Sequence, residues 1–296
     1  MSSWSYQAPQ ELSDEQYTRW KNLLETRTGI CFSQHKSILQ KGLSMRMREI
    51  GSKDYEEYFQ QVSRVPSGNV EWTQLVDRIT VKETSFYRDS HSYSAVRNYL
   101  LSLYESEKKA GDSDTLELWS VGCSTGEEAY SLAMLANEVL DYVCANSFLG
   151  VMATDISQSA LAVGRAGKYS ERKVNDLAPA LKHKYFKALN DENYQVVASL
   201  RQRIAFVQGN LLELDKTPLL AMDVIYCQNV LVYFRRELQW QVLNTLTQHL
   251  KPGGMLIIGP GEVVGWQHSQ MQRYNDTVVQ AYIKMSLKNQ RAKNGV

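Results

Sequence analysis

The chain has 296 residues, 43% of them apolar and 22% charged, which exceeds the roughly 100 to 200 residues of a usual single domain, so one large or two modest domains are expected. Lys and Arg number 33 and Asp and Glu 32, a net +1 at pH 7, which argues against a surface given over to a polyanion such as nucleic acid while leaving room for a local basic patch. The opening Met1-Ser-Ser-Trp-Ser-Tyr lacks the basic and apolar regions of a secretory leader, and no run nears the roughly 18 apolar residues of a membrane span. A cytoplasmic protein that is not membrane-inserted is therefore expected. Cys31, Cys123, Cys144 and Cys227 stand far apart without C-x-x-C or Cys/His ligand spacing, so reduced thiols are expected, with no disulfide framework and no metal.

From Ser13 to Val76 helical patterns dominate. Ser13-Asp-Glu-Gln offers a start signal and Gly29 a stop, and Asp54 to Val62 reads as a further short helix before Pro66-Ser-Gly. A helical domain over 10–76 and a connecting segment over 77–95 are expected. Strand-like and helical runs then alternate: Leu116 to Val121, Glu128 to Leu140, Phe148 to Ala153, Ile204 to Gln208, Asp223 to Cys227, Arg236 to Leu250 and Met255 to Gly259. That alternation predicts a parallel α/β sheet over 96–286. Pro252-Gly-Gly reads as the turn into a buried strand, and Thr277 to Met285 as a last strand. Within 168–208 the pattern weakens into a polar helix and then Tyr194 to Ser199 with Arg203 to Val207, an antiparallel pair inserted into the sheet domain. The tail over 287–296 is basic and expected to be loose.

The most informative segment is Trp119-Ser-Val-Gly122-Cys-Ser-Thr-Gly126-Glu-Glu-Ala. A strand runs into two glycines four apart and a helix opens at once, as in the first crossover of a nucleotide-binding sheet. It is not G-x-G-x-x-G, which disfavours a nicotinamide oxidoreductase, and Glu127 and Glu128 would repel a pyrophosphate at the helix start. A cationic cofactor suits this rim. S-adenosylmethionine carries a sulfonium and an ammonium, and the acid needed to accept from its ribose hydroxyls is supplied by Asp155 at the end of the next strand. The structural alternatives are a capping box for Thr125-x-x-Glu128 and an ordinary helix cap for Asp155-Ile-Ser.

With these residues the chain resembles the CheR-type chemotaxis-receptor glutamate methyltransferases. The matching stretches are Thr80-Val-Lys-Glu-Thr84-Ser-Phe-Tyr-Arg88-Asp, Trp119 to Ala133, Ala153-Thr-Asp155-Ile-Ser, Gly209-Asn210-Leu211-Leu, Asp223-Val-Ile-Tyr-Cys-Gln228-Asn229-Val-Leu-Val-Tyr233-Phe, and Leu250-Lys-Pro-Gly-Gly with Gly259-x-x-Glu262. The resemblance implies an N-terminal all-α domain and a class I S-adenosylmethionine-dependent methyltransferase sheet of Rossmann-like type bearing a small β-subdomain. It also implies that Thr84 and Arg88 line the cofactor site with Gly122, Glu128, Asp155, Asn210, Leu211, Gln228 and Asn229, and that Arg88 and Tyr233 align the reaction. Lys82 and Gln228, at positions the resemblance places in the cofactor shell, stand where the family commonly has Asn and Arg, and Pro260-Gly261-Glu262 replaces its His-Ser-Glu. A catalytically degenerate cofactor-binding module is the alternative these departures raise, and a specialised paralogue serving a pilus or surface-motility system is the other expectation they suggest.

The chemistry implied needs no general base, because a glutamate of ordinary pKa near 4.3 is ionised at pH 7. His35, His91, His183, His249 and His268 are accordingly scattered, and no histidine or cysteine falls in a catalytic constellation. The Asn/Asp-Pro-Pro-aromatic run of amino-methylating enzymes is replaced by Gln228-Asn229-Val230-Leu231, against nucleic-acid or glutamine methylation. The implied partner is the cytoplasmic helical bundle of methyl-accepting chemoreceptors, and the implied state a monomer. Projecting Ser33 to Ile50 as a helix puts Leu39, Leu43, Met47 and Ile50 on one side and Ser37, Lys41, Ser44 and Arg48 on another, with Lys36 and Arg46 flanking. Lys41 and Arg48 are the expected docking charges. The 168–208 stretch has no glycine, so dependence on a receptor-tail peptide is not expected.

Overall fold

The computed structural model describes residues 11–32, 36–52, 54–66, 69–105, 115–143 and 145–286, which divide into two units between Val81 and Lys82. His35, Cys144 and the basic tail over 287–296 lie outside the described residues. Among the described residues no helix is long and apolar enough to cross a membrane.

The first unit contains α1 (Asp14–Thr28), α2 (Lys36–Ile50), α3 (Tyr55–Arg64) and α4 (Val70–Ile79). Local chemistry sets the ends. Ser13 and Gln16 form a reciprocal capping box at α1, Asp54 accepts from the Glu56 amide at α3, and Asn69 accepts from the Glu71 amide at α4; each such cap is worth about 1 kcal/mol. Gly29 ends α1 at φ 77°, in the left-handed region. The core is Trp20, Leu24, Leu39, Leu43, Tyr58 and Leu75, all essentially inaccessible, each contributing roughly 1.5–3 kcal/mol by burial. Helices α2 and α4 approach so closely at Gly42 that a Cβ there would lie 2.6 Å from Ile79 Cγ2 and 2.9 Å from the Arg78 carbonyl oxygen.

Helix α2 follows its projection with one correction. Leu39, Leu43 and Met47 turn inward and Lys41 and Arg48 are exposed, but Ser44 is buried and hydrogen-bonded to the Tyr55 hydroxyl at 2.8 Å. The buried arc is wider than the apolar stripe because Tyr55 of α3 covers the next row. Of the basic residues, Lys36 is paired with Asp14 at 2.8 Å, and Arg46 with Glu71 at 2.5 Å and Glu49 at 2.9 Å. Lys41 and Arg48 make no ion pair among the described residues.

The second unit opens with α5 (Ser90–Glu105), β1 (Thr115–Val121), α6 (Glu127–Tyr142), β2 (Phe148–Asp155) and α7 (Gln158–Ala166). There follow β3 (Lys168–Ser170), α8 (Glu171–Val174), α9 (Pro179–Tyr185), β4 (Phe186–Ala188), β5 (Asn193–Val196), α10 (Ala198–Arg201) and β6 (Ile204–Gln208). A 3-10 helix (Leu211–Lys216), β7 (Met222–Cys227), a 3-10 turn (Leu231–Tyr233), α11 (Arg236–Gln248), β8 (Leu250–Ile258), β9 (Met271–Arg273) and β10 (Gln280–Lys284) complete it.

Seven strands form one sheet in the order β6-β2-β1-β7-β8-β10-β9. The pairs from β6 to β8 are parallel, and β10 runs antiparallel to both β8 and β9. The central strands are apolar runs because both faces are covered. Alternate residues serve opposite cores: Leu118, Val224 and Ile257 pack with residues of α5 and α6, whereas Trp119, Ile225 and Leu256 pack with residues of α11. At the amino end of these strands Asp223 accepts from the Glu117 amide at 2.9 Å and from Lys251 Nζ at 2.7 Å, and the Tyr99 hydroxyl donates to the Gly253 carbonyl at 2.9 Å.

Two expected turns are corrected. Tyr194 to Ser199 does not pair with Arg203 to Val207. Strand β5 lies between β3 and β4 in a separate three-stranded antiparallel sheet, while β6 joins the main sheet parallel to β2, with Val151 opposite Ile204 and Asp155 opposite Gln208. Helix α10 intervenes between β5 and β6, making the link a crossover and not a hairpin. Pro252-Gly-Gly is not a turn before a strand but an irregularity inside β8, where the pairing with β7 shifts register between Met222 and Val224. The three-residue β9 has no counterpart in the sequence reading.

Candidate functional site

The chain leaves β1 for β2 and β6 on one side, then returns past β1 to β7 and β8 on the other. The strand order therefore reverses at β1, and the carboxyl ends of β1 and β7 form the topological switch point, where sheets of this kind take ligands in a crevice. The loops after β1, β2, β6, β7 and β8 all emerge at this edge, and each carries residues singled out from the sequence.

The loop after β1 is built on alternating left-handed residues: Gly122 (φ 73°), Ser124 (φ 49°) and Gly126 (φ 96°). For Ser124 that conformation costs about 1–2 kcal/mol, and its Oγ is buried with no hydrogen-bond partner among the described residues. A Cβ on Gly122 would fall 2.3 Å from Val230 Cγ2, so glycine is what allows the loops after β1 and β7 to meet. The capping-box alternative for Thr125 and Glu128 is not realised. Gly126 is the N-cap of α6 without a side-chain cap, Thr125 Oγ1 donates to Glu127 at 2.6 Å, and Ser120 Oγ donates to Glu128 at 2.7 Å.

Asp155 likewise does more than cap α7, whose N-cap is Ser157. One carboxylate oxygen accepts from the Ser124 amide and the other from the Ser157 amide, each at 2.8 Å, which ties the end of β2 to the glycine loop. Asn210 accepts from the Leu212 amide at 3.1 Å and so starts the 3-10 helix that presents Leu211. After β7, Asn229 is exposed and left-handed (φ 59°). Glu262, from the loop after β8, accepts from the Asn229 amide and, at 3.1 Å, from the Leu231 amide. It thereby fixes the turn that carries Tyr233.

Charge is the distinctive property here. Glu128 is half-buried as a residue, and burial pushes its carboxyl up to about 8, with Glu262 and Asp155 raising it further and Ser120 and Arg88 opposing. Burial also raises Glu262, against the pull of the amides it accepts from. The Glu262 and Asp155 carboxylates thus both act on Glu128, and Arg88 is the counter-charge that opposes them. Arg88 is exposed and donates to the Glu83 carbonyl at 3.1 Å. Its charge also reaches Tyr233, whose hydroxyl is raised by burial and lowered by Arg88. A ligand combining a cationic centre with hydroxyls matches these groups: the cation relieves the carboxyls, and the hydroxyls suit Asp155.

The remaining candidates are placed as follows. Lys82 Nζ donates to Ser159 Oγ at 2.7 Å, joining the segment before α5 to the first turn of α7. Thr84 is half-buried in that same segment. Gln228 is drawn inward. Its amide donates to Ser92 Oγ at 2.7 Å, to Asp89 at 3.3 Å and to the Ile258 carbonyl at 3.3 Å, while its oxygen accepts from the Tyr226 hydroxyl at 2.9 Å. With its polar atoms engaged in the interior, Gln228 braces the start of α5 against the end of β7. The sequence assigns Glu262 no role; an acid four residues after a buried strand at the ligand edge is its one signal.

Known families fit this arrangement. Residues 82–280 match the description "CheR methyltransferase, SAM binding domain", and residues 15–80 match "CheR methyltransferase, all-alpha domain". The chain belongs to the CheR methyltransferase family. Its curated relatives include the chemotaxis protein methyltransferase of Borreliella burgdorferi, 30% identical over 255 residues covering 86% of this chain and 89% of the relative. The chemotaxis protein methyltransferase 1 of Pseudomonas aeruginosa is 31% identical over 81% of this chain and 87% of its own length. The Escherichia coli chemotaxis protein methyltransferase is 30% identical over 85% of both chains. This CheR-family chain is thus an S-adenosylmethionine-dependent methyltransferase of the chemotaxis class, with a Rossmann-like sheet and an all-α N-terminal unit.

Proposed function

We propose that the chain transfers methyl from S-adenosylmethionine to glutamate side chains of methyl-accepting chemoreceptors, as the adaptation enzyme of a bacterial chemosensory pathway in the cytoplasm. The observation that carries the reading is the acidic crevice: Glu128, raised to about 8, beside Glu262 and Asp155. Bound there, S-adenosylmethionine would supply an electrophilic methyl on a sulfonium. Glu128 and Asp155 would hold it with the glycine loop and Asn210, and Lys82 and Thr84 would border it.

The side chains near this crevice suit an acceptor that arrives already ionised. Cys123 and Cys227 are buried, and burial lifts both thiols well above their ordinary range, so neither is a base at neutral pH. Tyr233 is raised and remains a protonated hydroxyl. It is a hydrogen-bond donor for an incoming carboxylate, and Arg88 is a positive charge beside it. These two residues align and steer; no proton needs to move, since a free glutamate is ionised at pH 7. Alignment in a partly desolvated site is what remains for the protein to contribute.

On the first unit, Lys41 and Arg48 are the exposed charges of α2 left without ion pairs among the described residues. They complement an acidic helical acceptor. The decisive assay follows labelled methyl from S-adenosylmethionine into receptor-containing membranes. Base-labile label on receptor glutamates is expected, and cofactor binding without transfer would favour the degenerate-module alternative. Lys41→Glu with Arg48→Glu should reduce transfer about tenfold at low salt with unchanged affinity for S-adenosylhomocysteine; an equal loss of both would remove the docking assignment.

A further inference from the structure

The small sheet is joined to the cofactor loop by a chain of buried polar contacts. Glu127, the first residue of α6, has no accessible side-chain surface. One of its oxygens is ion-paired with Lys173 of α8, and the other accepts from Thr125 Oγ1 at 2.6 Å. The Thr125 carbonyl in turn accepts from the hydroxyl of Tyr169 in β3 at 2.7 Å. The Glu127 carbonyl accepts from Ser131 Oγ at 2.7 Å, and Ser131 Oγ accepts from the Tyr87 amide at 3.0 Å. The inserted β3–α8 segment thus grips the residues on both sides of Gly126.

A carboxylate at the start of a helix usually serves the helix amides or dipole. Here the two Glu127 oxygens are committed instead to Thr125 and Lys173, and Lys173 is the cation paired with Glu127 among the described residues. We propose that Lys173 is a positioning residue of the cofactor loop: from the small sheet it holds Glu127, and through Thr125 it maintains the left-handed turn from Ser124 to Gly126. Without Lys173 the buried Glu127 carboxylate has no ion-pair partner among the described residues, and it turns toward water. That turn releases the Thr125 hydroxyl and lets the strained Ser124 backbone relax out of its binding conformation. The inserted sheet thereby acquires a role in cofactor affinity through the loop it holds.

This inference rests on the cofactor reading above, and calorimetry with S-adenosylhomocysteine separates the two. No binding to the unaltered chain would remove the cofactor reading and the inference with it. With binding to the unaltered chain secured, Lys173→Met is expected to raise Kd about tenfold, equivalent to about 1.4 kcal/mol, at a temperature where circular dichroism shows it folded. Lys173→Arg should restore Kd to within about threefold, and kcat at saturating cofactor should stay unchanged. A parental Kd in Lys173→Met, with only a lowered melting temperature, would reduce the pair to scaffolding and overturn the proposal. Should Lys173→Met fail to fold, Thr125→Val breaks the same chain without unpairing a charge. A Kd raised about threefold or more supports the proposal, and a parental Kd overturns it.

Discussion

At the amino end of the main sheet, Asp223 lies between the Glu117 amide and the Lys251 ammonium. At the carboxyl end, Asp155 and Glu262 both act on Glu128, and burial raises both Glu128 and Glu262. The same strands β1, β7 and β8 supply both ends. At one, the buried Asp223 carboxylate is paired with Lys251; at the other, neighbouring acids raise the Glu128 carboxyl and Arg88 opposes them. Stability alone favours the first arrangement. The second makes sense for a crevice completed by a cationic ligand, and it places affinity and stability in separate residues.

The sharpest way to break this contrast is to neutralise the ligand end. Glu128→Gln should weaken S-adenosylhomocysteine binding by about thirtyfold or more, by loss of a charge-assisted contact to the ligand ammonium. Calorimetry measures it. The same variant should not lower the melting temperature. With its carboxyl at about 8 in the fold and near 4.3 when unfolded, Glu128 holds a proton in the folded state that the unfolded state lacks between those values. Its contribution to stability therefore falls as pH rises through that window, and Gln should flatten the fall in a series of thermal melts. For the parent chain, ligand affinity should drop as pH is lowered below about 8, by up to tenfold per unit, because binding to the ionised carboxylate must then expel a proton.

The converse substitution probes the other end. Asp223→Asn leaves Lys251 without its anion and should cost about 1–3 kcal/mol by denaturant unfolding, with ligand affinity within twofold of the parent. A loss of affinity equal to that of Glu128→Gln would show that the two ends are not separable. The smallest effect is expected at Lys82→Ala, which removes a single exposed bond to Ser159. About a twofold rise in Kd and no change in melting temperature are expected, and a tenfold rise would make Lys82 a principal contact.

Much of this plan could be read from the residues in order. The apolar runs of β1, β2 and β7, the glycine spacing after β1 and the acid at the end of β2 are local patterns, and each has a direct physical signature. What stayed hidden depends on partners distant in the chain. Gln228 sits beside a strand end and reads as a shell residue, but its amide is captured by Ser92, 136 positions away. Ser44 projects to the polar side of α2 until Tyr55 claims it. The pairing of β6 follows from the helical turn of α10, which is too short to announce itself by periodicity. Glu262 works through backbone amides, and an amide leaves no mark on the residue type that carries it.

Strand β10, the last strand among the described residues, lies inside the sheet between β8 and β9 and not at an edge. The piece that joins β9 to the rest therefore leaves the ribosome after β8, β9 and Glu262. Until then the growing polypeptide exposes β8 as an open edge, a template for unwanted pairing. Protection of that edge therefore waits for β10, so truncation before Gln280 should yield aggregation and not a smaller working enzyme.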